Sequence, residues 1–201
     1  MPFPNWSVLA ENIRFFKDNG VVGVFEEGTY NTPGGDMEEL KNYLLGKVMY
    51  DPSLDESVVV DDFLQNYFGS DGAAAVKVYM TLMEDSVKKT KFYMGENFDW
   101  TAPFLTPDAV LGAAKAFKGA EVEEGKHKDR LENAMLPIYY VAMLRWDEMK
   151  AWSAAEGEEW VLEDGLGDAF EFFSGACDKK GILLMNEWGN DLEWLKGELG
   201  L

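Results

Sequence analysis

Residues 7–48, SVLAENIRFFKDNGVVGVFEEGTYNTPGGDMEELKNYLLGKV, decide how the rest of the chain is read. Ser7 stands at a cap position before LAENIRFFKD, and Asn19-Gly20 supplies a left-handed stop, so 7–18 is expected to be a helix. VVGVF at 21–25 is then a short, nearly continuous apolar run between turn signals. Such a run is the pattern of a strand buried on both faces of a parallel sheet. Gly, Pro, Asn and Thr crowd 28–36, which makes that segment a loop. Asp36 followed by Glu39 resembles a capping box, opening a helix with Met37, Leu40, Leu44 and Val48 on one face until Asp51-Pro52 stops it. Helix, strand and helix in that order are a piece of an α/β repeat.

Beyond residue 50 the periodicity is helical. Val59, Phe63 and Tyr67 recur at helical spacing within 55–68, although the β-branched run there also suits a strand. Val76, Met80, Met83 and Val87 form the inward stripe of a helix over 71–92, with Lys88, Lys89 and Lys91 at its favoured C-terminal end. After an aromatic loop at 92–104, Thr106 caps and Pro107 starts a helix that runs to about Gly119. A long helix over 121–153 is expected to be kinked or begun at Pro137, with further helices over 167–179 and 190–197. WVLED at 160–164 and ILLM at 182–185 are weak strand candidates. The fold class expected is mainly α, a helical region attached to a remnant of an α/β unit.

Composition narrows the function classes. With 201 residues and 47% hydrophobic content the chain can bury a sizeable core. Its 18 Lys plus Arg against 37 Asp plus Glu give a formal charge of −19, and no basic run offsets it, so no nucleic-acid partner is expected. The acid excess suits solubility or a salty habitat equally well. One Cys and one His cannot form a disulfide or a Cys/His zinc site, and neither a metal nor a cofactor motif is present, so no cofactor is expected. No apolar run reaches the ~20 residues of a membrane span, so no membrane partner is expected. The start MPFPNW lacks the charged and apolar parts of a signal peptide, which makes the protein cytoplasmic if Met1 is its true start.

Several motifs together carry a resemblance. The pattern N-x-R-F-F-x-x-x-G-V-x-G-V-F at 12–25, Y-L-L-x-K-x-x-x-D-P at 43–52 and a helix ending Tyr67-Phe68-Gly69 resemble a glycoside-hydrolase-like bacterial family known as a domain of unknown function and related to α-glucuronidases. FLTPDAVLGAAKAF, RLENAMLPIYYVAMLRW and FEFFSGACDKKGI resemble the helical C-terminal region of the same family. The resemblance implies that 1–50 is the last helix–strand–helix unit of a (β/α)8 barrel and 51–201 a helical C-terminal domain. It also implies that the remaining strands lie outside this chain. The function implied is that of the C-terminal portion of a glycoside-hydrolase-like protein of polysaccharide metabolism, inactive alone; the alternative is a helical scaffold or protein-interaction module. Partners would be a carbohydrate and either the missing barrel or a second copy covering the strand.

Candidate site residues follow from that placement. Glu26 and Glu27 would sit at the C-terminal end of a barrel strand, where active sites are built. Glycoside hydrolysis needs two carboxyls about 5–5.5 Å or about 6.5–9.5 Å apart across the scissile bond, and adjacent strand residues do not straddle a sugar. At most one of the pair is therefore catalytic, its partner carboxyl lying on strands outside this chain; otherwise Glu26 or Glu27 binds sugar hydroxyls, or both are solvated loop carboxylates. Asn5 and Trp6 either bind a sugar, Trp6 by stacking, or form a hydrophobic staple at the first helix. Tyr30, beside Asn31, has the same ambiguity. Tyr93, Phe98, Trp100 and Phe104 are either a carbohydrate platform or, more in keeping with their position between helices, core. His127 in GKHKDR reads as a surface histidine and Cys177 as a small core hydrophobe.

Overall fold

A computed structural model describes residues 1–29, 31–95 and 97–201. Among these, the regular elements are eight helices: α1 (Trp6–Asp18), α2 (Glu38–Tyr50), α3 (Glu56–Thr90), α4 (Pro107–Lys118), α5 (Lys126–Leu144), α6 (Trp146–Glu156), α7 (Leu166–Lys180) and α8 (Leu192–Glu198). The mainly α class is what the sequence predicts. No strand forms among the described residues.

The principal core surrounds α5. Leu131 and every residue from Met135 to Met143 are buried, as a helix apolar on all sides must be. The helices α3, α4, α6 and α7 pack against it. Pro137 does not interrupt α5, contrary to expectation. Proline removes one backbone donor from the helix, and complete burial of the surrounding turns outweighs that loss. The break falls instead at Arg145, whose Nη1 donates to the carbonyls of Leu105 at 2.5 Å and Trp100 at 3.2 Å. A smaller core joins Leu9, Ala10 and Ile13 of α1 to Leu44 and Val48 of α2 and Val59 of α3. Arg14 locks this unit, its guanidinium donating to Pro52 O at 3.0 Å, Leu54 O at 2.8 Å and the Glu56 carboxylate at 2.5 Å.

The expected strand at 21–25 is absent. Its backbone runs as irregular chain, with Val22 and Phe25 exposed. A strand exists only through the ladder it shares, and the described residues offer no neighbouring strand. The weak candidates 160–164 and 182–185 are likewise irregular. Ile182 belongs to the end of α7, its amide donating to Cys177 O at 2.9 Å while Gly181 takes φ +73°.

Two expected caps are built differently. Asn5, not Ser7, precedes α1, and it makes no side-chain cap bond. At α2 the Glu38 carboxylate accepts from the amides of Gly34 and Gly35, at 3.1 and 2.9 Å, and frees Asp36 to turn inward. Gly34 has φ +107°, a backbone conformation that favours glycine. The Thr106 cap and Pro107 start of α4 form as the sequence predicts.

The helices predicted at 55–68 and 71–92 are one element broken at Gly69, where φ is 73° and ψ 176°. That backbone region is essentially restricted to glycine. The freed carbonyl of Tyr67 is taken by His127 Nδ1 at 2.8 Å and Arg130 Nη1 at 3.0 Å, and the Arg130 guanidinium lies 4.0 Å from the Tyr67 ring centroid. His127 is thus half-buried at a helix break rather than on the surface. Gly69→Ala is expected to lower stability by about 1–3 kcal/mol, the cost of forcing a side chain into this conformation. The nearest atom to the added Cβ is 3.7 Å away, so the loss is conformational rather than steric. Urea unfolding checks it, and a change within about 0.5 kcal/mol would show that the break tolerates any residue.

Candidate functional site

Residues 31–36 lead Asp36 into the junction of α2, α3 and the segment before α1. Its side chain is 1% exposed. The carboxylate accepts from Phe3 N at 2.7 Å and from Tyr79 Oη at 2.6 Å, and Lys41 Nζ lies 3.8 Å away. Lys41 also donates to Phe3 O at 2.8 Å, and its ammonium sits over the rings of Phe3 and Trp6, 5.3 and 5.6 Å from their centroids. A buried carboxylate is tolerable only when its charge and lone pairs are answered, and here they are.

Two proton affinities shift in consequence. Burial first, and then the adjacent Asp36 charge, push the Tyr79 phenol well above its ordinary value, so it remains a hydrogen-bond donor. Desolvation lowers the affinity of Lys41, while Asp36 pulls it the other way. Both Asp36 oxygens are committed to partners. The cluster therefore ties the segment before α1 to α2 and α3 and leaves no carboxylate in position to abstract a proton.

A cavity of about 240 Å³ lies beside this cluster, between the 29–36 loop and α5 and α7. Pro137, Tyr140, Phe173 and Cys177 form its apolar wall. Burial pushes the Cys177 thiol up to about 12 and the Tyr140 phenol up to about 12. Neither group is activated as a nucleophile or base at neutral pH. Cys177 is the core hydrophobe that the sequence indicates.

The five residues singled out from sequence are not gathered into one site. Glu26 and Glu27 are exposed on the irregular 21–29 segment, and neither makes a hydrogen bond or ion pair among the described residues. Without the strand there is no alternation to send one of them inward. Asn5 and Trp6 stand beside the Asp36 cluster, with Asn5 Oδ1 and Trp6 Nε1 buried and unpartnered among the described residues. Trp6 is 4% exposed, with the Tyr79 ring centroid at 5.8 Å and the Lys41 ammonium against it. Stacking on a pyranose needs an open ring face, and the buried indole offers none. Tyr30 lies outside the described residues.

The aromatic loop is mostly core. Phe104 is fully buried and packs on Phe92 and Phe98 with centroids 5.2 and 5.5 Å apart, while Trp100 meets Tyr140 edge-on. Tyr93 alone of the four named aromatics is exposed.

Sequence reasoning missed Lys41, Tyr79 and the inward turn of Asp36. Tyr79 was within reach, since it lies three residues after Val76 and four before Met83 on the stripe already recognised. Lys41 gave no signal, because a lysine beside Leu40 reads as solvated unless a distant carboxylate is known to face it.

Among the described residues no group of three or more His, Cys, Asp or Glu side chains gathers to hold a metal ion. No described helix is long and apolar enough to cross a membrane. Residues 1–81 match the family model described as Domain of unknown function (DUF4838). That match supports the domain-of-unknown-function resemblance over the stretch containing α1, α2 and the first part of α3. No curated protein and no solved structure matches the chain.

Proposed function

We propose that this chain is the helical, non-catalytic portion of a glycoside-hydrolase-like protein of polysaccharide metabolism, with 21–25 pairing as a strand in a sheet supplied from outside these residues. The observation that carries the reading is the state of VVGVF. It has the composition of a doubly buried strand, yet it shares no ladder with any described strand, and Val22 and Phe25 stand in solvent. The segment falls inside the matched family region. Pairing would return Glu26 and Glu27 to the end of a strand, the position from which barrel residues reach a ligand.

The exposed residues also favour a second reading, a helical interaction module. Phe15, Val22, Phe25 and Tyr50 are all exposed, and a protein partner would cover them as well as a sheet would.

Sequencing the transcript across the region encoding Met1 separates the two. An in-frame upstream extension encoding strands is the expected result. A stop codon directly upstream would overturn the barrel reading and leave the interaction module. In the same frame, the 201-residue chain is expected to release no aryl group from a panel of aryl glycosides; turnover abolished by Glu26→Gln or Glu27→Gln would overturn its non-catalytic status.

A further inference from the structure

The segment 21–29 is anchored at its start and open along the rest. Val21 N donates to Phe16 O at 3.0 Å, and Val24 packs on the small core of α1 and α2. From Val22 to Gly28 no backbone N–H or carbonyl bonds to another backbone group among the described residues. Val22 is fully exposed and Phe25 is 89% exposed. No described residue between Gly20 and Gly34 has a positive φ, so this backbone can take strand geometry without strain. An open row of donors and acceptors beside apolar side chains is a template for strand addition.

Charge selects what is added. Glu26 and Glu27 follow VVGVF directly, and both are exposed. We infer that 21–25 pairs with a basic strand of the sheet supplied from outside these residues, one in which apolar residues alternate with lysine or arginine and whose cations meet Glu26 and Glu27 at the end of the ladder. Opposite charges across a ladder are favourable and like charges directly opposite are not. An acidic strand is therefore repelled. A second copy of this chain brings the same two glutamates and a further net charge of −19. A wholly apolar strand covers Val22 and Phe25 but leaves the two carboxylates beside the ladder without a counter-charge. The inference rests on the pairing of 21–25 proposed above and adds the chemistry of the strand that pairs there.

Two N-acetylated, C-amidated hexapeptides, VTVRVR and VTVEVE, serve as probes against the 15N-labelled chain. VTVRVR is expected to move the amide resonances of Val22, Gly23, Val24 and Phe25 saturably and to slow their hydrogen exchange, whereas VTVEVE leaves them in place. Glu26→Lys combined with Glu27→Lys is expected to weaken VTVRVR about tenfold and to admit VTVEVE, an exchange of preference that loss of structure cannot produce. Proline removes a ladder donor, and adjacent strand residues offer their N–H groups to opposite edges. At least one of Val22→Pro and Gly23→Pro is therefore expected to abolish binding. Both positions have room, since Val22 is fully exposed and a Cβ at Gly23 meets nothing within 4 Å.

An equal response to the two peptides, amides unmoved by either, or binding indifferent to both proline variants would each overturn the inference. So would dimerisation of the chain through this edge, seen by sedimentation equilibrium and lost in the proline variants, which would make a second copy the occupant. The transcript experiment judges the barrel reading separately. An in-frame strand-coding extension with silent amides would retire the basic strand and leave that reading standing; a stop codon with arginine-selective binding would do the reverse.

Discussion

Asp36→Ala is expected to lower the stability of the chain by about 3–5 kcal/mol, the range for removing one member of a buried, paired charge. The loss has three sources. Phe3 N and Tyr79 Oη each lose their acceptor, and the Lys41 ammonium keeps its buried position without the carboxylate that compensates it. Asp36→Asn is the informative partner, because its amide oxygen still accepts from Tyr79, while its NH2 faces the Phe3 N–H and the charge facing Lys41 is gone. Its loss is expected to be smaller. Urea unfolding followed by circular dichroism gives both values, and an Asp36→Ala loss under about 1 kcal/mol would mean that the cluster is solvated rather than buried.

Phe104→Ala should cost a comparable amount, about 3–5 kcal/mol, for a different reason. Phe104 is fully buried where the 92–104 loop closes over α3 and α4, against Phe92 and Phe98. Its backbone is fixed as well, since Ser86 Oγ donates to Phe104 O at 2.5 Å. Truncation there leaves a cavity whose walls are held by other contacts and collapse only in part. Tyr93→Ala in the same loop is expected to change stability by no more than about 0.5 kcal/mol, because that side chain is 91% exposed. Thermal unfolding of the pair measures the contrast; similar losses at the two positions would place both rings on the same footing and remove the loop from the core.

What could be read from the sequence follows the physical range of each signal. Helices fixed by local chemistry were legible: Thr106-Pro107 begins α4, Asp51 ends α2, and Gly20 takes φ +76° after α1. The strand at 21–25 was misread because apolar composition reports a preference for burial and says nothing about whether a neighbouring strand exists to share its ladder. Pro137 was misread for a related reason: its local cost is real, but the contacts that outweigh it come from α3, α4 and α7. At the candidate site, Trp6 and Asn5 were placed at the right end of α1, yet nothing nearby in sequence shows that Tyr79 and Lys41, 73 and 35 residues further on from Trp6, close over the indole.

The central place of α5 also sets the order in which the protein can complete itself. Val76, Tyr79 and Met83 on α3 and Val110, Ala113 and Phe117 on α4 are buried in the principal core, of which Met135 to Met143 form the middle. During synthesis those faces leave the ribosome before the segment that covers them, so the nascent chain carries a long apolar surface until α5 has emerged. The smaller core of α1, α2 and the start of α3 is complete well before that point, because all six of its buried residues lie between 9 and 59. Order of emergence thus favours closure of the small helical core first and collapse around α5 second.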